Sequence, residues 1–365
     1  MRKIAVIGGG AGGAAAVAEL VAAGHEVRFW SRSAQTLAPF QAQGGVAFDG
    51  ILGSGTAQPA LMTCDFAAAI DGAEVVLVCL PTFAHAGIAL ALARAGSTIP
   101  AVLNPGHTGG ALEFAQVFRS LGATQPPIAE FSTLTYVARK YTPSRVTITG
   151  KAKNVRLAAL PHGKDAADAA LEMFRSARMA SDVLACDLAN VNMVLHVPGT
   201  VLGAAWVEAT RGDFTFYVQG MTAGVARVMR ELDGERRAVA HAFGHDLPNL
   251  IEEMQAIGTV DQSIRDHDDF AQAIASGEAN ARIKAPDSLQ HRYYREDFGH
   301  GLLPFIALAT IARVDVPVAH SLLRVAQALL GFDPASTGRT AERMGIAGLD
   351  RNGLLHLVGG ACRGA

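Results

Sequence analysis

The stretch NMVLHVPG, residues 192–199, sets one imidazole inside an apolar run, one helical turn after an amide side chain. A helix presents positions i and i+4 on the same face, so Asn192 and His196 look out together. With an unperturbed pKa of about 6.5, imidazole can hold or release a proton near neutral pH. A buried histidine with a satisfied hydrogen bond has the same sequence signature, so the surrounding elements must decide between the two. His241 and His245 also share a helical face, at the spacing of a zinc pair, but no Glu lies between them and no third ligand is evident. No metal is expected there.

The elements that would position such chemistry begin at the N-terminus. KIAVIG is a short, β-branched apolar run of the kind buried in a parallel sheet. It leads into Gly8-Gly9-Gly10-Ala11-Gly12-Gly13 and then into the helix-forming AAAVAELVAAG. Strand, G-x-G-x-x-G and helix together are the context of a dinucleotide-binding turn. Gly8 permits the tight turn, Gly10 lets backbone approach a pyrophosphate, and Gly13 lets helix and strand pack closely. The free N–H groups of the first helical turn, from Ala11 and Gly12 onward, then meet the anion.

The next strand, HEVRFW, runs into Ser31-Arg32-Ser33, where an NAD-specific site would carry an acid for the ribose hydroxyls. A guanidinium flanked by hydroxyls suits the extra phosphate of NADP, so NADP is preferred over NAD. Further strand patterns at 73–81, 99–106 and 154–161 alternate with helical ones. The expected fold class is therefore an α/β Rossmann-like, doubly wound parallel sheet. Loops leaving the carboxyl ends of such strands line the ligand crevice. Two are singled out: PTFAH with Pro81, and NPGHTGG with His107 and Thr108 exposed at its turn.

After about residue 185 strand patterns give way to long helical ones, so the reading is a dinucleotide domain over 1–185 and an all-α substrate and catalytic domain over 186–365. Hydrophobic residues make up 50% of the chain and charged ones 18%, with a net charge of −2. That balance supplies two cores and no basic face for nucleic acid. Cys64, Cys79, Cys186 and Cys362 show no metal-binding or CxxC spacing, which fits a reducing compartment. The small residues of MRKIAVIGGGAGGAAAVAEL are read as the glycine turn and its helix, not as a secretory signal. No uninterrupted apolar run is long enough for a membrane span. A cytoplasmic protein with no membrane partner is expected, and a homodimer through the helical domain.

Several of these stretches recur together in one known group of enzymes. The GGGAGG unit, LNPGHTGGALEF (103–114), NMVLHVPG, RYYREDFGHGLLPF (292–305) and GRTAERMGI (338–346) resemble, in order, the octopine/nopaline or opine dehydrogenases. The resemblance implies NAD(P)H-dependent reductive coupling of an amino acid's amino group to a 2-oxo acid, and a nucleotide domain followed by a helical one. It also implies a His–Asp pair that handles the proton, falling here on His196 and Asp297. One departure is Gly203, where that family often carries Asn.

Reducing a C=N bond needs a proton as well as a hydride, and nicotinamide supplies only the hydride. His196 would supply the proton, with Asp297 fixing its tautomer and favouring the imidazolium. Because an opine carries two carboxylates, cationic and amide donors are expected nearby. The candidates are Asn192, His107, Thr108 and Arg292, with Arg295 also neighbouring Asp297, and Arg139 and Lys140 following a first-domain strand. GRTAERMGIAGLD is assigned a capping turn and an amphipathic helix without chemistry. Competing readings are a ketopantoate-reductase-like or 2-hydroxy-acid dehydrogenase, and a non-catalytic NAD(P)-sensing protein. The first would rely on a Lys, and none occurs between Lys164 and Lys284.

Overall fold

The structure is a computed structural model and describes residues 1–278 and 280–359, so Cys362 lies outside the described residues. The chain divides into two compact units. One comprises residues 1–106 and 110–179, the other 107–109 and 180–365. The division falls just before the composition change that suggested residue 185. His107–Gly109 separate from the loop that carries them because their side chains and carbonyls bond to helical segments.

In the first unit the strands are β1 (Lys3–Ile7), β2 (Glu26–Trp30), β3 (Val46–Gly50), β4 (Gly55–Ala57), β5 (Leu61–Thr63) and β6 (Val75–Val78). They continue with β7 (Ala101–Leu103), β8 (Ile128–Phe131), β9 (Tyr136–Thr142), β10 (Arg145–Lys151), β11 (Val155–Ala159) and β12 (Ala177–Met179). The main sheet runs β12-β11-β8-β7-β6-β1-β2-β5. From β8 to β5 every pairing is parallel, and at the centre β1 from Ile4 onward and the whole of β6 are apolar and buried on both faces. The doubly wound expectation holds with one difference: β11 pairs antiparallel with β8, so the sheet is mixed at that edge.

A second sheet, β4-β3-β10-β9, was not foreseen from the strand patterns. Its strands carry Asp49, Arg139, Lys140 and Lys151 on a half-exposed surface, which hides the period-two signal. Arg139 and Lys140 thus lie within β9 rather than after a strand, and the Lys140 ammonium sits 4.3 Å over the Phe40 ring. The helix Ala11–Ala22 packs against strands of both sheets. Its run of small residues from Gly13 to Ala18 is buried throughout, because narrow side chains let it lie close to each layer. Glu19 ties it to the second sheet, accepting from Tyr136 Oη at 2.7 Å and pairing with Lys151.

The second unit is helical. The helix Asn192–Leu202 is its centre, packed by Ala223–Ala242, Pro317–Leu330, Arg292–Asp297 and the π-helical segment Phe298–Leu302. This crowding explains why every residue from Met193 to Val201 is buried. Arg236 is enclosed and held at all three nitrogens: Nε donates to Asp233 Oδ1 at 2.8 Å, Nη1 to the Leu188 carbonyl at 2.8 Å and Nη2 to the Pro248 carbonyl at 2.7 Å. A buried guanidinium paired with a carboxylate and bonded at each nitrogen avoids the penalty of an unpaired charge. No single helix among the described residues is long and apolar enough to cross a membrane.

Candidate active site

His196 and Asp297 meet. His196 Nδ1 lies 2.8 Å from Asp297 Oδ2 across 101 positions of sequence. The histidine is 6% exposed and the aspartate 2%. The ring of Tyr293 stacks on the imidazole with centroids 3.9 Å apart and planes 14° apart, which fixes the ring plane. Thr200 Oγ1 donates to the His196 carbonyl at 2.6 Å one turn further on. His196 Nε2 faces Tyr217 Oη at 2.7 Å. Burial alone would raise the Asp297 pKa, but the His196 charge opposite and hydrogen bonds from His107 and His196 hold this carboxyl well below the usual carboxylate range. The site therefore contains a fixed anion with an oriented imidazole on it.

The second oxygen of Asp297 is occupied too. His107 Nε2 lies 3.4 Å from Asp297 Oδ1. His107 and Thr108 are each 3% exposed, so the expectation that they project from an open turn is corrected. The reason is the company the loop keeps within the helical unit. His107 Nδ1 faces Asn190 Nδ2 at 2.8 Å and the His300 carbonyl at 3.0 Å. Thr108 Oγ1 donates to the Asp187 carbonyl at 3.4 Å, and Arg339 Nη1 donates to the Thr108 carbonyl at 2.9 Å. His107 adopts a left-handed φ of 63°, a conformation that this network must hold in place. Gly301 makes room for the ring, since a Cβ there would stand 3.2 Å from His107 Cε1.

In the first unit the glycine turn has the shape that a dinucleotide needs. A Cβ on Gly8 would fall 2.2 Å from the Cys79 carbonyl oxygen, and one on Gly13 would fall 1.8 Å from the Gly8 carbonyl oxygen. In front of Gly10, by contrast, a Cβ would meet nothing within 4 Å. Gly10 caps the helix Ala11–Ala22 without any side-chain hydrogen bond, so the first N–H groups, those of Ala11 and Gly12 included, face outward for an anion. Close packing behind the turn and open space before it fit a pyrophosphate.

At the end of β2, Ser31 is 7% exposed and Arg32 exposed. Ser31 Oγ accepts from Ser33 N–H at 3.3 Å and Ser33 Oγ from Thr36 N–H at 3.2 Å, which leaves both hydroxyl hydrogens to donate. Pro81 precedes the 3-10 turn Thr82–Ala84 and is half-buried.

A family model described as NAD/NADP octopine/nopaline dehydrogenase, alpha-helical domain, matches residues 179–330. A second, described as NADP oxidoreductase coenzyme F420-dependent, matches residues 3–105. An opine dehydrogenase of Arthrobacter sp. (strain 1C) is 34% identical over 98% of this chain and 99% of its own. The chain belongs to the opine dehydrogenase family. It is accordingly an NAD(P)-dependent oxidoreductase, and the reaction of opine dehydrogenases is the reductive condensation of an amino acid with a 2-oxo acid.

A solved structure of octopine dehydrogenase with NADH and L-arginine superposes with a TM-score of 0.77 over 100% of both chains, at 22% identity. A ketopantoate reductase from Ralstonia eutropha also superposes, with a TM-score of 0.63 over 91% of this chain and 99% of its own, at 20% identity. The two-domain fold is thus shared with the rival reaction class, and membership of the opine dehydrogenase family is what separates them.

Within this opine dehydrogenase fold the remaining sequence-derived residues fall as follows. Asn192 opens the central helix, half-buried, and its N–H donates to Asn190 Oδ1 at 3.1 Å. Arg292 is exposed, with its guanidinium 5.7 Å from the Tyr293 ring centroid. Arg295 turns away to Gln290 and Phe332. His245 pairs with Asp182 at 3.1 Å.

Gly203 closes the central helix, and a Cβ there would stand 2.7 Å from the Gly199 carbonyl oxygen, so this chain packs its backbone where the family often carries Asn. Tyr217, Tyr293, Asn190 and Arg339 were missed by sequence reasoning. Tyr293 and Arg339 lie in stretches that carry the family resemblance, RYYREDFGHGLLPF and GRTAERMGI, whereas nothing in the sequence marks Tyr217 or Asn190. Arg339, 0% exposed, sits in the C-terminal motif that had been assigned no chemistry.

Proposed function

We propose that this chain couples the amino group of an amino acid to a 2-oxo acid, and catalyses the reverse oxidation, with His196 giving and taking the proton and Asp297 orienting it. The observation that carries these roles is the 2.8 Å contact between His196 Nδ1 and Asp297 Oδ2. With Nδ1–H held on the carboxylate, Nε2 is the atom at which a proton is stored or released. Tyr217 Oη, 2.7 Å from Nε2, marks the direction along which that proton leaves. Nicotinamide, when bound, supplies the hydride. The turn around Gly8, Gly10, Ala11, Gly12 and Gly13 holds the dinucleotide's phosphates, with Pro81 on a neighbouring loop.

Arg32 and the hydroxyls of Ser31 and Ser33 support a preference for NADP. Asn192 and Arg292 are the amide and guanidinium for substrate carboxylates, while the buried His107 and Thr108 shape the site from within. The free thiols Cys64 and Cys79 support a cytoplasmic place. The exposed Leu202, Trp206 and Val218 support a face for a second copy.

The test is NADPH and NADH oxidation with pyruvate, 2-oxoglutarate or oxaloacetate, each with and without a panel of amino acids. Oxidation that requires both substrates is expected, faster with NADPH. Oxidation with the oxo acid alone would instead assign a 2-hydroxy-acid dehydrogenase.

A further inference from the structure

The Asn190 side chain settles which nitrogen of His107 carries hydrogen. Its Oδ1 accepts from Asn192 N–H at 3.1 Å, so Nδ2 is the atom that faces His107 Nδ1 at 2.8 Å. An amide NH2 can only donate, hence Nδ1 is bare in the neutral ring and the hydrogen sits on Nε2, toward Asp297 Oδ1. The His300 carbonyl also lies 3.0 Å from Nδ1. It would gain a hydrogen bond only from a hydrogen on Nδ1, and Asn190 would then have to turn and release Asn192. The amide therefore directs the ring hydrogen to Nε2, and Asp297 receives one imidazole on each oxygen.

We infer that His107 is a positioning residue for the His196–Asp297 pair: with its hydrogen directed to Nε2 by Asn190, it pins the second oxygen of Asp297 and tempers how strongly the carboxylate keeps a proton on His196. This rests on the functional reading above. The other titratable or charged groups around the pair are Tyr217 beside His196 Nε2, Tyr293 stacked on its ring, and His291 and Arg292 on the segment leading to Asp297. All four stay unchanged in the variants below.

The experiment compares full-length wild type, His107→Leu, His107→Gln and Asn190→Asp by kcat and kcat/KM against pH, with dinucleotide Kd and Tm alongside. His107→Leu is expected to lower kcat about tenfold at unchanged dinucleotide Kd. It should also move the limb of kcat/KM that reports His196 upward by about one pH unit, because a carboxylate relieved of one donor holds the His196 proton more tightly. Gln places an N–H donor near the position of Nε2 and restores both values. Asn190→Asp accepts where the amide donated and lets Nδ1 carry hydrogen while Nε2–H stays on Asp297, so it is expected to hold the carboxylate more firmly and to move the limb downward, opposite to the leucine variant. This keeps the proposal testable if His107→Leu fails to fold.

A rescue no better with Gln than with Leu at equal Tm, or a limb that stays in place in all three variants, overturns the inference. Full activity in His107→Leu beside a dead His196→Gln overturns it alone, whereas an active His196→Gln removes the reading on which both rest.

Discussion

The glycine turn at 8–13 and the cluster around His196 are built in opposite ways. The turn offers backbone: N–H groups, a helix terminus and the absence of side chains, all from six consecutive residues. The cluster offers side chains alone, drawn from segments at 107, 190–200, 217 and 291–300. A backbone site is encoded locally, since what it requires is a conformation that only glycine permits. A side-chain site depends on long-range packing, so each member depends on neighbours that are remote in sequence.

The sharpest way to break this contrast is His196→Gln. Turnover should fall on the order of 10²–10⁴-fold while dinucleotide Kd is unchanged, because general acid–base catalysis is lost and the backbone site is untouched. Stopped-flow reduction with the screened substrates, together with dinucleotide titration, checks both halves. Equal losses of binding and turnover would show that the two regions are not separable.

A smaller effect sharpens the turn itself. Gly13→Ala drives a methyl to within 1.8 Å of a backbone oxygen, so it should lower Tm and raise dinucleotide Kd by about tenfold or more. Gly10→Ala, which meets nothing within 4 Å, should leave Tm unchanged and weaken only the dinucleotide. A drop in Tm for Gly10→Ala would mean that the space in front of the turn is not open.

The smallest effect concerns acid. The Asp297 carboxyl is depressed in the folded protein, so its stabilisation is fully present above the ordinary value of 3.8 and is lost as pH falls below it toward the folded value. Wild type should therefore lose on the order of 2 kcal/mol more than Asp297→Asn between pH 5 and pH 2.5. Urea unfolding at several pH values measures the difference, and parallel pH curves would mean that the carboxyl is not depressed.

Legibility in sequence follows the same contrast. The Gly8–Gly13 turn, the parallel core strands and the apolar helix around His196 were all readable, because periodicity and glycine spacing are local signals. The His196–Asp297 pairing came only through resemblance to a family, since no local rule joins positions 101 apart. His107 was read as exposed because a Gly-Pro-rich loop ordinarily lies at the surface. Nothing in NPGHTGG indicates that Arg339 will take the Thr108 carbonyl or that Gly301 will leave room for the ring. The second sheet was missed because its strands are rich in polar and charged residues, as in Tyr136–Thr142 and Arg145–Lys151.

By itself, then, the sequence determined a nucleotide turn, a parallel core and a helical second half, since these depend on residues a few positions apart whose conformational limits are intrinsic. Only the tertiary structure decided that one carboxylate would hold two imidazoles, with an amide setting the tautomer of the second. That arrangement exists because packing around the helix Asn192–Leu202 buries the groups together, where each donor and acceptor must find a partner.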